Sequence, residues 1–111
     1  MIYHATMAST LSLEQMHAAA GRACRLMKAL ANPDRLMLLC QLAEREMSVG
    51  ELEAALGIPQ PTLSQQLTVL RDEQLVDTRR DGKYVHYRVR KGPALAVLKA
   101  LYAQFCKRKK P

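Results

Sequence analysis

No apolar run in the 111-residue chain approaches the roughly 18 residues that a membrane-crossing helix needs. The opening MIYHATMASTLSLEQ lacks a charged segment followed by an apolar one, so it does not read as a secretory leader. The expectation is a cytoplasmic protein with no membrane partner. Cysteine is sparse. The three present, Cys24, Cys40 and Cys106, are expected as reduced thiols rather than a disulfide framework. There is no Cys-x-x-Cys, no redox-type βαβ unit and no evident base near a cysteine, which argues against a thiol redox enzyme or peroxidase. Acidic residues are missing altogether beyond Asp81.

That last absence splits the charge. Residues 1–75 hold six Lys/Arg and eight Asp/Glu, a net −2, whereas residues 76–111 hold eleven and two, a net +9. Such asymmetry points to a polyanionic partner, nucleic acid first and a membrane surface second. A solvated basic face, or a module for an acidic protein, would carry the same charge. What is present in quantity is apolar residue, 49% of the chain. That suffices for one core, but a domain this small buries little surface alone. Long apolar terminal helices in such a chain point to a dimer that shares its core. Residues 1–111 thus read as one domain, with a flexible arm over 1–11 and a basic tail over 107–111.

The periodicity predicts five helices and a hairpin. Ser12 is an N-cap with Gln15 three residues on, a capping box. Leu13, Met16, Ala20, Ala23, Met27 and Leu30 then recur at spacings of three and four, a seam suited to helix–helix packing. Asn32 and Pro33 start a second helix, apolar almost all round over 35–44. Ser48 and Glu51 form a second capping box for a third helix that ends at Gly57. Pro59 and Pro61 bracket a tight connection, and residues 62–73 form a fourth helix. The period then falls to two. Strands over 76–80 and 83–89 flank an Asp81-Gly82 turn, a strong hairpin signal. Gly92-Pro93 opens a last helix whose apolar face is Leu95, Leu98, Leu101, Tyr102 and Phe105. The expected fold is mainly α with a β-hairpin wing, a winged helix-turn-helix.

On the helix-turn-helix, Leu52, Leu56, Ile58, Leu63, Leu67 and Leu70 take the inner face. The outer face is left to Gln60, Thr62, Ser64, Gln65, Gln66 and Thr68. Surface helices usually carry Lys and Glu. Six amides and hydroxyls without a charge suit base edges, because Gln pairs bidentately with adenine and Ser or Thr both donates and accepts. An ordinary capped surface helix is the plain alternative. Arg79, Arg80, Lys83 and Arg88 surround the hairpin tip, where they would meet phosphates or the minor groove and set affinity rather than sequence choice. Charge protecting an edge ribbon is the other reading. His86 and Tyr87 read as packing or solvent-facing residues.

The segments ALANPDRLMLL, SVGELEAALGIPQPTLSQQLTVLRDEQLV and TRRDGKYVHYRV resemble the ArsR/SmtB family of bacterial repressors across residues 15–106. The resemblance implies a homodimer built through the first and last helices, which blocks operator DNA until an inducer releases it. Arsenic-sensing members carry Cys-x-Cys on the third helix; here that helix reads SVGELEAAL. Zinc-sensing members carry Asp, His and Glu on the last helix; PALAVLKALYAQFC supplies none. No metal site and no cofactor is therefore expected. Cys40 and Cys106 look like the thiol pair of the BigR/SqrR subgroup, as do SVGELE and QPTLSQQL. That likeness implies a dithiol that reacts with a persulfide or an oxidant as inducer. Taken by itself, without the resemblance, Cys40 in LMLLCQL reads first as a packing residue and only second as a sensor. Cys24 reads as packing too, or as the third thiol of a soft-metal site with Cys40 and Cys106, which would suit arsenite.

Overall fold

Three of the helices in the computed structural model begin where a capping side chain stands in the sequence. The structure describes residues 11–106; the expected tail over 107–111, and all of the expected arm but Leu11, lie outside them. Helix α1 (Leu13–Leu30) opens on Ser12, whose Oγ accepts the Gln15 N–H at 3.1 Å while Gln15 Oε1 accepts the Ser12 N–H at 2.8 Å. Helix α2 (Pro33–Glu44) opens on Asn32, which accepts the Arg35 N–H at 3.0 Å. Pro33 sits in its first turn, where a missing N–H costs nothing. A two-residue strand, β1 (Met47–Ser48), then leads into α3 (Val49–Leu56), where Ser48 and Glu51 close the second capping box. Gly57 ends α3 at φ +68°, a left-handed cap that a side chain would strain.

Helix α4 (Gln60–Asp72) starts two residues before the expected Thr62. The reason is that Pro61 does not end the connection but lies in the helix's first turn, where its fixed φ is already helical. Strands β2 (Val76–Asp81) and β3 (Tyr84–Val89) form the hairpin, and α5 (Pro93–Phe105) closes the chain. The turn also differs from expectation by one residue. Asp81 pairs with Tyr84, so the loop is Gly82-Lys83 rather than Asp81-Gly82. Gly82 has φ +62° and Lys83 does not share that sign, the pattern of a turn that wants Gly at its first central position.

The order is α1-α2-β1-α3-α4-β2-β3-α5. It carries the strand β1, which the sequence reading did not include. Met47 pairs with Tyr87 and Ser48 with His86, making a three-stranded antiparallel sheet in the order β1-β3-β2. Helix α2 is the hub and packs against α1, α3, α4, α5 and β3. It buries Leu38, Leu39 and Leu42 but leaves Met37 exposed, so it is less uniformly buried than its composition suggests. Leu52, Leu63, Leu67 and Leu70 bring the helix-turn-helix into the same core. Each buried leucine stabilises by about 1.5–3 kcal/mol.

Helix α1 is different. Only Ala29 and Leu30, in its last turn, are buried, whereas Leu13 is 71% and Met27 57% exposed. The radius of gyration is 16.7 Å, against about 13 Å for a compact chain of this size. The protomer is therefore spread out, with an apolar helix on its outside.

Candidate nucleic-acid interface and thiol pair

The packing of α3 against α4 dictates which side chains face outward. Leu52, Ile58, Leu63, Leu67 and Leu70 are buried and Leu56 half-buried, which turns the opposite face of α4 to solvent. Gln60, Ser64, Gln65 and Thr68 are exposed there and Thr62 half so. Thr68 Oγ1 donates back to the Ser64 carbonyl at 2.9 Å. No side chain caps the α4 N-terminus, in contrast to α1, α2 and α3, so its first amides and positive dipole end are open. Gln66 departs from its neighbours. It is half-buried, and its Oε1 accepts from Arg35 Nη1 at 2.9 Å.

Arg35 makes this contact as part of a larger clamp. Its Nε donates to the Ala29 carbonyl at 2.7 Å and its Nη2 to the Lys28 carbonyl at 3.1 Å. The residue four after Ala29 is Pro33, which has no N–H, so the helix cannot satisfy that carbonyl itself. One guanidinium thus ties the end of α1 and the start of α2 to the outward helix α4. Sequence reading missed Arg35 because its partner Gln66 lies 31 residues away.

The wing separates its cations into two kinds. Arg79 is held by Glu46, with Nε 2.9 Å from Oε1, and this hydrogen bond keeps the Glu46 carboxyl below its ordinary range. Arg80 and Lys83, by contrast, are exposed and join no ion pair among the described residues. Arg88 is exposed opposite Asp77, and Arg90 holds Asp77 at 2.9 Å. Tyr87 is buried in the core, and half-buried His86 lies at the root of the wing, 4.0 Å from Glu51. Glu46, like Arg35, was invisible in the sequence because its partner is 33 residues distant.

The thiols sit at the other end of α2. Cys40 is half-buried and faces α5, whereas Cys106, one residue past the end of that helix, is exposed. Burial pushes the Cys40 thiol up, and the negative charge of a Cys106 thiolate pushes it further. Beside Cys40 lies a cleft of about 280 Å³ between the two helices, bordered by Glu44, Leu95, Leu98, Lys99 and Tyr102. Cys24 is exposed on α1. Among the described residues no three His, Cys, Asp or Glu side chains come together as a metal site, so the structure does not assemble the three cysteines within a protomer. Nor is any described helix long and apolar enough to cross a membrane.

A helix-turn-helix whose second helix has an outer face free of charge from Gln60 to Thr68, followed by a cationic hairpin, defines a winged helix-turn-helix regulator that binds DNA. Residues 32–78 match the family described as bacterial regulatory protein, arsR family. The biofilm growth-associated repressor of Agrobacterium fabrum is 53% identical over 96 residues, which cover 86% of this chain and 82% of that protein. The crystal structure of the transcriptional repressor BigR from Xylella fastidiosa is similar at a TM-score of 0.78 and 48% identity, over 88% of this chain and all (100%) of that one. A homodimeric winged helix-turn-helix DNA-binding domain from Mycobacterium bovis, a possible ArsR-family regulator, matches at a TM-score of 0.72 and 28% identity, over 86% and 88% of the two chains. The chain belongs to the arsR family of bacterial regulatory proteins.

Proposed function

We propose that the protein is a homodimeric repressor that leaves its operator when Cys40 and Cys106 are joined by a persulfide or an oxidant. In this reading α4 enters the major groove. Ser64, Gln65 and Thr68, together with Gln60 and Thr62 at the helix start, meet base edges, and Gln66 is steered by Arg35. The open α4 N-terminus takes a phosphate, and Arg80 and Lys83 straddle the backbone beside it. Arg79 contributes only when it exchanges Glu46 for a phosphate.

The exposed apolar faces of α1 and α5 support the dimer. Leu13, Met16, Met27, Tyr102 and Phe105 all lie outside the protomer core. To read paired half-sites, a dimer joined through these faces has to hold its two α4 helices roughly 34–36 Å apart.

The observation that supports the sensing step is that Cys40 faces α5, the helix at whose end Cys106 stands exposed, and that α2 and α5 pack together. Cys106 is exposed and meets the reagent first, and Cys40, whose burial disfavours the thiolate, resolves the product once it loses its proton. With a persulfide, Cys106 takes the outer sulfur of RS–SH and releases RSH. Cys40 then attacks the Cys106 persulfide and expels hydrogen sulfide. The balance is RSSH plus two thiols to RSH, one disulfide and one hydrogen sulfide. With peroxide, the same two thiols give a disulfide, an alcohol or water, and water. A bond between α2 and α5 changes the angle of the dimer helix to the hub. Its covalent energy supplies the preference for the released state.

The test treats the reduced protein with glutathione persulfide, and separately with peroxide. Peptide masses are read alongside binding to the tightest duplex selected from a random library. The expected result is a Cys40–Cys106 cross-link that appears together with loss of binding. A protein that releases DNA without that cross-link refutes the mechanism.

A further inference from the structure

Eight large apolar side chains stand exposed among the described residues, and five of them lie on α1 and α5, the helices assigned above to the dimer. Tyr84 is on neither. It begins β3 at the tip of the wing and is 59% exposed. Aromatic rings are among the side chains that gain most from burial, so an open ring on a cationic hairpin calls for a surface that covers it. The strand register fixes which way the ring faces. Tyr84 pairs with Asp81, the last pair before the Gly82-Lys83 turn. Side chains alternate along a strand, so Tyr84 shares its face with His86 and Arg88, opposite the buried Tyr87 and Val89. The ring therefore cannot fold back onto the core. Arg80 pairs with Val85 and so lies on the other face. The tip carries a cation on one face, a ring on the other and Lys83 at its apex. Lys83 is not independent of the ring, because its Nζ stands over it, 5.9 Å from the centroid.

We infer that Tyr84 lays its ring against a deoxyribose on the wall of the minor groove, next to a phosphate held by Lys83. Phosphate and sugar are covalent neighbours within one nucleotide, which suits an ammonium and a ring held 5.9 Å apart. A groove roughly 6 Å wide admits side chains of the tip but not the two-stranded ribbon, whose backbones alone are about 4.8 Å apart. The edge of the sugar is mostly C–H surface, so the ring contributes by burial and not by charge. In the docking of the wing proposed above, on which this assignment rests, Arg80 and Lys83 supply the ionic contacts. Tyr84 adds one that salt does not screen.

The chain contains no tryptophan, so Tyr84→Trp keeps an aromatic ring at the tip and makes it the single indole of the protomer. The full chain carrying Tyr84→Trp is titrated with the tightest duplex selected from a random library. On binding, the indole emission should shift to the blue and acrylamide should quench it less, with affinity retained. Covering about 30 Å² of ring is worth about threefold, so Tyr84→Ala should cost a dimer, through its two wings, about tenfold. That loss should be the same at every salt concentration, whereas Lys83→Gln should flatten the salt dependence. Tyr84→Phe should bind like the unsubstituted protein. Tyr84 and Lys83 are both exposed, so none of these changes threatens the fold.

If Arg80→Ala and Lys83→Gln weaken binding but the indole stays open to acrylamide and Tyr84→Ala loses nothing, the ring contact is refuted and the docking of the wing stands. If those two variants also bind unchanged, the wing does not touch DNA, and the docking falls together with the contact. An indole quenched outright on binding means that the ring stacks on a base, which overturns the sugar assignment. A Tyr84→Ala loss that disappears at high salt means that the ring acts only by holding Lys83, which overturns it as well.

Discussion

Replacing Arg35 by Ala should unfasten α1 from α4 and cost about 2–4 kcal/mol. The magnitude follows from three hydrogen bonds. The bond to the Lys28 carbonyl lies at an exposed position and adds little. The bond to Gln66 is half-buried and worth about 1 kcal/mol. The bond to the Ala29 carbonyl matters most. Ala29 is 5% exposed, and with Pro33 four residues on no backbone amide replaces the guanidinium. Leaving such an acceptor unpaired costs about 1–3 kcal/mol. In a domain of this size the sum lowers Tm by about 10–20 °C. The assay is urea and thermal unfolding at one fixed protein concentration, since stability of an oligomer depends on it. Arg25→Ala is the control, because it also removes an arginine joining α1 to the end of α4, at Glu73, but at the surface. Its midpoint should not move. Pairing Arg35→Ala with Gln66→Ala should show a coupling of about 1 kcal/mol. An Arg35→Ala protein as stable as Arg25→Ala would refute the clamp.

Four further outcomes follow from the site. Gln65→Ala should lose discrimination among duplexes, whereas Arg80→Ala should weaken all of them alike and reduce the salt slope by about one; equal losses on specific and random DNA in both variants would overturn that division. Cys40→Ser should bind DNA normally, take a single modification at Cys106, and fail to release under persulfide in a gel-shift assay. Glu46→Gln should free Arg79 for phosphate, raising affinity for random duplex and steepening its salt dependence, as read by fluorescence anisotropy. Because folding raises the Cys40 thiol above the ordinary cysteine value, stability is full below that value and falls as pH rises through the raised one. Alkaline unfolding should therefore be blunted in Cys40→Ser, and cross-linking of the native protein should accelerate with pH over the same range.

Helix starts were legible in the sequence because their causes are local. Ser12 with Gln15 and Ser48 with Glu51 satisfy open amides within one turn, Asn32 accepts another while Pro33 has none to satisfy, and all three starts sit where the residues suggest. The outward polar face of α4 was legible for a similar reason, since buried leucines at helical spacing fix the opposite face. The misses share another cause. Strand β1 has two residues, too few to show a period, and exists only because β3 passes beside it. Arg35 with Gln66 and Arg79 with Glu46 join residues that only the folded chain brings together. The turn shift at Gly82 shows the same dependence on partners. Pairing of Asp81 with Tyr84, not the preference of the Asp-Gly dipeptide, decided where the loop lies.

The short strand β1 has a mechanical consequence for the wing. It pairs with β3 at His86 and Tyr87 only, so the root of the hairpin is a three-stranded plate fixed to the core through Tyr87 and Val89. Beyond His86 the ribbon narrows to two strands that end at Gly82-Lys83. It is a cantilever, clamped at one end and loaded at the other. Two-stranded ribbons are marginal structures with strong twist, so compliance is concentrated in the last few residues. Arg80 and Lys83 can follow a backbone path that varies from one duplex to another, while the joint that carries the load back to α2 stays stiff.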